Sequence, residues 1–416
     1  MKMLERLLPF FCAATLFTAT VEADTIDQGG AGGDIDAREI QALREWINTK
    51  RQVTVKEKGG SLAISGEVRT EMQAAYETVN GESQRGARTP FGVPHEVFDV
   101  EVNLMFDYRT DRSWASVKLE FDNNAGIFGG TLNRLKLERA YFGVRLMELS
   151  SVIVDVELGR RRMNSFLDSK LEGDSFFDGI FLKYDQAFET IADFYIHAGP
   201  FLIDERAYQY GYLGEIGLLD VADTGFYTKY LLIDWKTKHF EDPIKNERFN
   251  FIVSQLLFGY KFLPPTFQKI VVLYAAGLWN HTAKKLKVTN HRRANWGAYT
   301  GLSIGELKKK GDWALDTSYQ VAAAQVVPDF DAAGLGIGNT AGAGLYNTKV
   351  DGTGVATTRK NAAGNNNYQG YNITFEYLLT NNLVLFQSWT QSFTLDDSIG
   401  PTRRYKQYEI EFNYAF

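Results

Sequence analysis

The sequence predicts an all-β fold, a transmembrane antiparallel β-barrel of about sixteen strands, preceded by a short N-terminal helix. Three observations predict it. Apolar and polar side chains alternate with a period of two from residue 61 to residue 416. Tight and long connections alternate along the same stretch. After residue 23 no run is long and apolar enough for a membrane-crossing helix, so only a closed set of strands could satisfy its backbone in lipid.

Residues 1–23 read as a cleaved export signal. Lys2 and Arg6 give a basic start, Leu7 to Thr18 is almost wholly apolar, and Val21-Glu22-Ala23 offers a small-x-small cleavage site. The single cysteine, Cys12, lies inside that run, so the exported chain has no thiol, no disulfide and no cysteine metal site. Residues 24–60 lack the period of two. A Gly-rich stretch leads to Asp36 as an N-cap with Glu39 three positions on, and Ile40, Leu43 and Ile47 recur at helical spacing beside Trp46. This is one short amphipathic helix, closed by Gly59-Gly60.

The barrel itself is expected over residues 61–416. In its first strand Leu62, Ile64, Val68 and Met72 alternate with Ser65, Glu67, Arg69 and Glu71. Phe98 to Tyr108, Ala115 to Phe121, Val152 to Leu158 and Tyr371 to Tyr377 repeat the pattern. Extended segments centre near residues 69, 102, 118, 139, 155, 181, 195, 215, 231, 255, 275, 299, 318, 373, 387 and 410. Those near 181, 215 and 231 alternate poorly, and Arg139 breaks the parity of its strand, the mark of a bulge. Short connections at Thr110-Ser113, Met147-Ser150, Gln186-Thr190, Val221-Thr224, Leu263-Gln268, Glu306-Gly311 and Thr380-Asn382 interleave with longer ones. The longer set includes Thr78-Glu96, Arg160-Asp174, Lys236-Glu247, His281-Arg293 and Gln325-Asn365. The last is rich in Gly, Ala, Asn and Thr and reads as a flexible external loop.

Composition fits a wet lumen inside an apolar shell. Aromatics make up 14% of residues although mean hydropathy is slightly negative. A net charge of -6 argues against a nucleic-acid partner. The five histidines, His95, His197, His239, His281 and His291, form no metal-binding spacing, and no motif specifies a nucleophile with its base. Hence no enzyme activity, metal or cofactor is expected. His197 should be a hydrogen-bonded wall residue facing the lumen.

The most specific local signal is the C-terminus, where Ile410, Phe412, Tyr414 and Phe416 alternate with Glu409, Glu411 and Asn413. Here the chain resembles bacterial outer-membrane porins, whose last strand ends in an aromatic residue with apolar residues at alternate positions. It is similar to a putative-porin group with an N-terminal periplasmic helix and a first strand like Leu62-Ala63-Ile64-Ser65-Gly66-Glu67-Val68-Arg69, and more widely to chlamydial-type envelope porins. Leu158-Gly159-Arg160 and Phe177-Asp178-Gly179 also look similar. The resemblance implies passive diffusion of small hydrophilic solutes and ions across the outer membrane. It further implies contact with membrane lipid and lipopolysaccharide, reading of the last strand by the barrel-assembly machinery, and homotrimers.

In general porins the third external loop folds into the lumen. By position that loop is Arg160, Arg161 and Arg162 through Asp174, with Asp168, Glu172 and Asp174 following the arginines. Basic wall residues facing it would be Arg69, Lys118, Arg134 and Lys136, setting up a transverse field, with Glu67 and Glu101 as further pore-lining candidates. Arg160–Arg162 could instead solvate a strand end or bind lipopolysaccharide phosphates. The first three strands place more carboxylates than bases inward, which favours cations. A second functional reading is a surface-exposed adhesin or structural envelope protein, with the barrel anchoring the long loop.

Overall fold

The computed structural model describes residues 53–416 except 58–59, 84, 86–94, 123–133, 189–190, 205–208, 238–240, 243–246, 249, 287–288, 329–330, 334, 336–348, 351–355, 358–365 and 400–401. The export signal and the amphipathic helix expected from sequence lie outside the described residues. Sixteen strands close into one antiparallel barrel: β1 (Gly60–Val79), β2 (Glu96–Arg109), β3 (Ser113–Asp122), β4 (Arg134–Glu148), β5 (Val152–Arg162), β6 (Phe176–Phe188), β7 (Ala192–Asp204), β8 (Gln209–Val221), β9 (Phe226–Thr237), β10 (Phe251–Phe262), β11 (Val271–Asn280), β12 (Trp296–Gly305), β13 (Trp313–Ala322), β14 (Tyr368–Thr380), β15 (Leu383–Thr394) and β16 (Arg403–Ala415). Each pairs with its sequence neighbours, and every centre expected from periodicity falls inside one of them.

Closure depends on β1 meeting β16. Their register runs from Glu67 opposite Ala415 to Val79 opposite Arg403. At the last residue the Gly66 N–H donates to the Phe416 carbonyl at 3.0 Å and the Phe416 N–H donates to Gly66 at 2.9 Å. Beyond that point a short segment, Val53–Glu57, pairs with Gly60–Ile64 and covers the edge of β1 that β16 does not reach. A Cβ on Gly66 would lie 2.6 Å from the Phe416 ring, so the absent side chain makes room for the terminal aromatic.

The alternation seen in the sequence separates an outer from an inner face. Met72, Phe98, Leu135, Ile180, Tyr212, Phe258, Phe412 and Tyr414 are exposed outward, as lipid contact requires, while Glu67, Glu71, Glu101, Asn103, Glu411 and Asn413 are buried inward. At β4 the register shifts: Lys118 faces Arg139 and Leu119 faces Leu137, which leaves Glu138 as an extra residue. The parity break at Arg139 is this bulge.

The weak alternation of three strands and one departure from the sequence expectation have a common cause. The strands near 181, 215 and 231 alternate poorly because their inward residues are also apolar; Phe177, Phe181, Leu213, Leu231, Ile233, Val253 and Leu257 belong to one buried cluster inside the barrel. That cluster is completed by loops. The connection Gln325-Asn365, expected to be wholly external, instead begins by burying Val326, Val327, Asp331, Ala332 and Leu335 against the inner wall. Its few apolar residues sit at its start, where they are most useful for packing.

The seam gives a direct test. Gly66→Val should push the Phe416 ring off its site and lower barrel stability by about 1–3 kcal/mol. Urea unfolding in detergent, read with heat-modifiable gel migration, checks it; an unchanged midpoint would count against the assignment of that contact.

Candidate functional site

The lumen has two unlike walls. Strands β1–β5 and β14–β16 line it with charge. Arg69 ion-pairs with Glu101 and lies 3.9 Å from both Glu71 and Glu411. Asn103 donates to Glu67 at 2.7 Å and to Glu101 at 2.5 Å. Lys118 pairs with Glu138, and Lys136 reaches Glu120 at 2.5 Å. The opposing wall, β6–β13, is largely apolar, with a few buried polar residues such as Glu215, Lys229, Gln255 and Asp316, and is covered from within by the connection between β5 and β6.

That connection opens with a 3-10 turn, Met163–Ser165, and buries Met163, Phe166, Leu167 and Leu171 in the inner cluster. Full burial of a leucine such as Leu171 contributes about 2 kcal/mol. Polar side chains then fix its path across the lumen. The Lys229 ammonium of β9 donates to Asp168 at 2.8 Å, and the Asp168 amide donates to Glu215 of β8 at 3.2 Å. Gln255 of β10 donates to the Asp168 carbonyl. Lys170 reaches Asp316 of β13 at 2.9 Å, and the same carboxylate accepts from Tyr274 at 2.9 Å. Gly297 of β12 leaves space for the loop, since a Cβ there would meet Leu171 at 2.9 Å and Val326 at 3.1 Å.

A second loop segment locks the first. Asp331 accepts from the amides of Gly173 at 3.0 Å and Ser175 at 3.1 Å, Ala333 donates to the Leu171 carbonyl at 3.0 Å, and Glu172 bridges to Ala332. Glu172 is fully buried, takes the Trp235 indole N–H at 3.2 Å on one oxygen, and has no hydrogen-bond partner on the other. Burial first, then the neighbouring Asp331, holds the Glu172 carboxyl well above the usual carboxylate range. Burial pushes Asp331 up to about 7, against the opposing pull of Ser175 and Gly173.

The residues singled out from sequence end in different places. Glu67, Arg69, Glu101, Lys118 and Lys136 face one another on the charged wall, and Arg134 opens β4 opposite Asp122. The three consecutive arginines diverge. Arg160 forms a two-pronged pair with Asp178, at 2.8 and 2.7 Å, with both side chains partly exposed. Arg161 is buried on the inner face, bonded to Glu157 at 2.7 Å and stacked on Tyr141 with 3.8 Å to the ring centroid. Arg162 is exposed and pairs with Asp174. Asp168 and Glu172 are buried anchors of the loop, tied to Lys229 and to the Trp235 indole, so both serve docking. His197 is an inner-wall residue, beside Phe166 and Tyr195, with Asp185 at 3.6 Å. Sequence reasoning did not single out Lys229, Glu215 or Asp331. Lys229 stands alone among apolar residues in a weakly alternating strand, and Asp331 sits in a stretch that reads as linker; only the lysine left a usable signal.

No protein-family model matches the chain, and no curated protein matches it in sequence. Solved structures do share its fold. The high-pH structure of Pseudomonas putida OprB is 9% identical, covers 85% of this chain and 94% of its own, and superposes with a TM-score of 0.53. Salmonella typhi OmpF in complex with daunomycin is 11% identical over 88% of this chain and 100% of its own, at 0.49. A mutant porin of Rh. blastica is 9% identical over 85% and 100%, at 0.43.

The docked loop can be tested in two ways. Lys229→Met strands Asp168 as a buried charge, at a cost of about 3–5 kcal/mol, and should free the loop. Trypsin should then cut at Lys170 in the folded variant and not in the parent; equal resistance would refute the role given to Lys229. For Asp331 the folded pKa lies above the unfolded one, so the folded state holds the extra proton. The packing it supports is therefore strongest at acid pH and weakens as pH climbs from the ordinary aspartate range through about 7. Hydrogen exchange at the Gly173 and Ser175 amides, corrected for intrinsic pH dependence, should quicken over that window, and should lose this extra dependence in Asp331→Asn.

Proposed function

We propose that the chain is an outer-membrane channel of the porin kind, through which small hydrophilic solutes and ions diffuse passively. The observation that carries this reading is the charged inner wall of β1–β5 and β14–β16, facing an inward-folded loop within a barrel whose outer face is apolar. An aqueous path needs a wall that water can wet, and a lumen meant only as an anchor has no use for so many carboxylates. The likeness to OprB supports the barrel fold on which the reading stands.

The finer parts of the proposal rest on residue placement. Glu71, Glu409 and Glu411 bring carboxylate oxygens within 4.8 Å of one another on that wall, which favours cations in transit. Ile410, Phe412, Tyr414 and Phe416 form the outward apolar and aromatic strip of the last strand and would serve as the assembly signal. The partly exposed Arg160 and the exposed Arg162 sit at the loop end of β5, where lipopolysaccharide phosphates would be within reach. Homotrimers are part of the same proposal, checked by the mass of the detergent-solubilised native protein.

Purified protein in a planar bilayer should give discrete conductance steps, and a salt gradient should set a reversal potential of the sign that marks cation preference. Replacing Glu409 and Glu411 together by Gln should shift that potential toward zero. A membrane that stays silent at all protein concentrations would reject the channel.

A further inference from the structure

The bulge in β4 does more than break parity. Before it, Lys136 points to Glu120 across the inner face; after it, Tyr141 lies beneath Arg161 on the same face. The extra residue, Glu138, also turns inward and is taken by Lys118. Arg139 shares the parity of Tyr141, so two consecutive charged residues face the lumen. Among the described residues Arg139 makes no ion pair and no side-chain hydrogen bond, and its Nε is buried without an acceptor. A buried guanidinium donor left in this state is costly unless something in the lumen accepts from it.

Its neighbours add to the imbalance. Arg161 and Lys183 converge on one oxygen of Glu157, at 2.7 and 2.8 Å, and the other oxygen of Glu157 accepts the Trp114 indole N–H at 3.1 Å. Glu138 is neutralised by Lys118, and Asp185 faces His197 at 3.6 Å. Arg139 adjoins Arg161 across the β4–β5 ladder, where Ala140 pairs with Arg160, while Arg161 and Lys183 share the carboxylate of Glu157. The rings of Tyr141 and Phe166, with centroids 3.8 and 5.7 Å from the Arg161 guanidinium, displace water from beside it. A flat, delocalised anion suits a guanidinium so placed.

We propose that Arg139, with Arg161 and Lys183, forms a station for the carboxylate group of passing solutes. This rests on the channel reading and narrows it to small hydrophilic molecules that carry a carboxyl group. Cation preference and this station are compatible, because a solute bearing both charges would meet an acidic wall on one side and a basic one on the other.

The test uses the whole folded protein in detergent, titrated with succinate and, separately, with neutral succinamide, while tryptophan emission reports on Trp114. Succinate should give a saturable change and succinamide none. Arg139→Gln should weaken succinate binding about tenfold, Arg139→Lys by less, and the exposed Arg292→Gln not at all. If Arg139→Gln fails to fold, the Lys variant is read in its place. Binding by the folded Arg139 variant equal to that of the parent overturns the station. So does the absence of a saturable response in a parent protein that conducts. A saturable response in a protein that never conducts supports the station and removes the channel instead.

Discussion

Everything in this molecule depends on the hydrogen-bonded seam between β1 and β16. A strand in lipid has no water to satisfy its amides and carbonyls, so an unpaired edge costs several kcal/mol per group and a sheet of this size must meet itself. The register Glu67–Ala415 through Val79–Arg403 supplies the closure, Gly66 and Phe416 finish it with a reciprocal pair of backbone bonds, and Val53–Glu57 takes the remaining stretch of edge. Once closure is imposed, side chains have two destinations. The period of two then decides, residue by residue, which meet lipid and which meet the lumen.

Within that cylinder the lumen is divided between two kinds of chemistry. The wall from β6 to β13 is filled as a soluble core is filled, by apolar side chains of the strands and of two inward loops. The wall from β14 round to β5 stays polar, with its carboxylates held by Arg69, Lys118, Lys136 and Arg161. The loop between β5 and β6 spans both: Arg161 belongs to the polar side, and a few residues on, Leu167 and Leu171 belong to the apolar one. Its charged residues Asp168 and Lys170 reach through the apolar wall only where a partner, Lys229 or Asp316, has been provided. A smaller polar space remains than a fully wet barrel of the same strand number would enclose.

The strands were legible in sequence because one-sided burial writes itself as alternation. Glu67, Glu101 and Phe412 could be assigned a face from parity alone, and Arg139 betrayed a bulge by violating it. The signal faded at Phe181, Leu213 and Leu231 because both faces there are apolar, one toward lipid and one toward the packed loops; parity carries no information when the two environments are alike. The docking of Asp168 on Lys229 and of Gly173 on Asp331 was invisible for a different reason. Those contacts join residues 61 and 158 positions apart, and no local pattern encodes such a pairing. The run of three arginines misled in the opposite way, since adjacency in sequence suggested one function where strand geometry sends Arg160 and Arg161 to opposite faces.

The lock between Gly173 and Asp331 has a consequence for the order of events in biogenesis. The two halves of that contact are carried by hairpins far apart along the barrel, so the loop after β5 can settle on Glu215, Lys229 and Gln255 once β8–β10 exist but is not locked until the strands through β13 are in place. Long-range contacts of this kind form late, because chain entropy must be spent before they give anything back. A nascent barrel that has closed its wall but not yet locked this loop would enclose a wider lumen than the finished protein. The interval between sealing and locking is set by how fast two distant loops find each other.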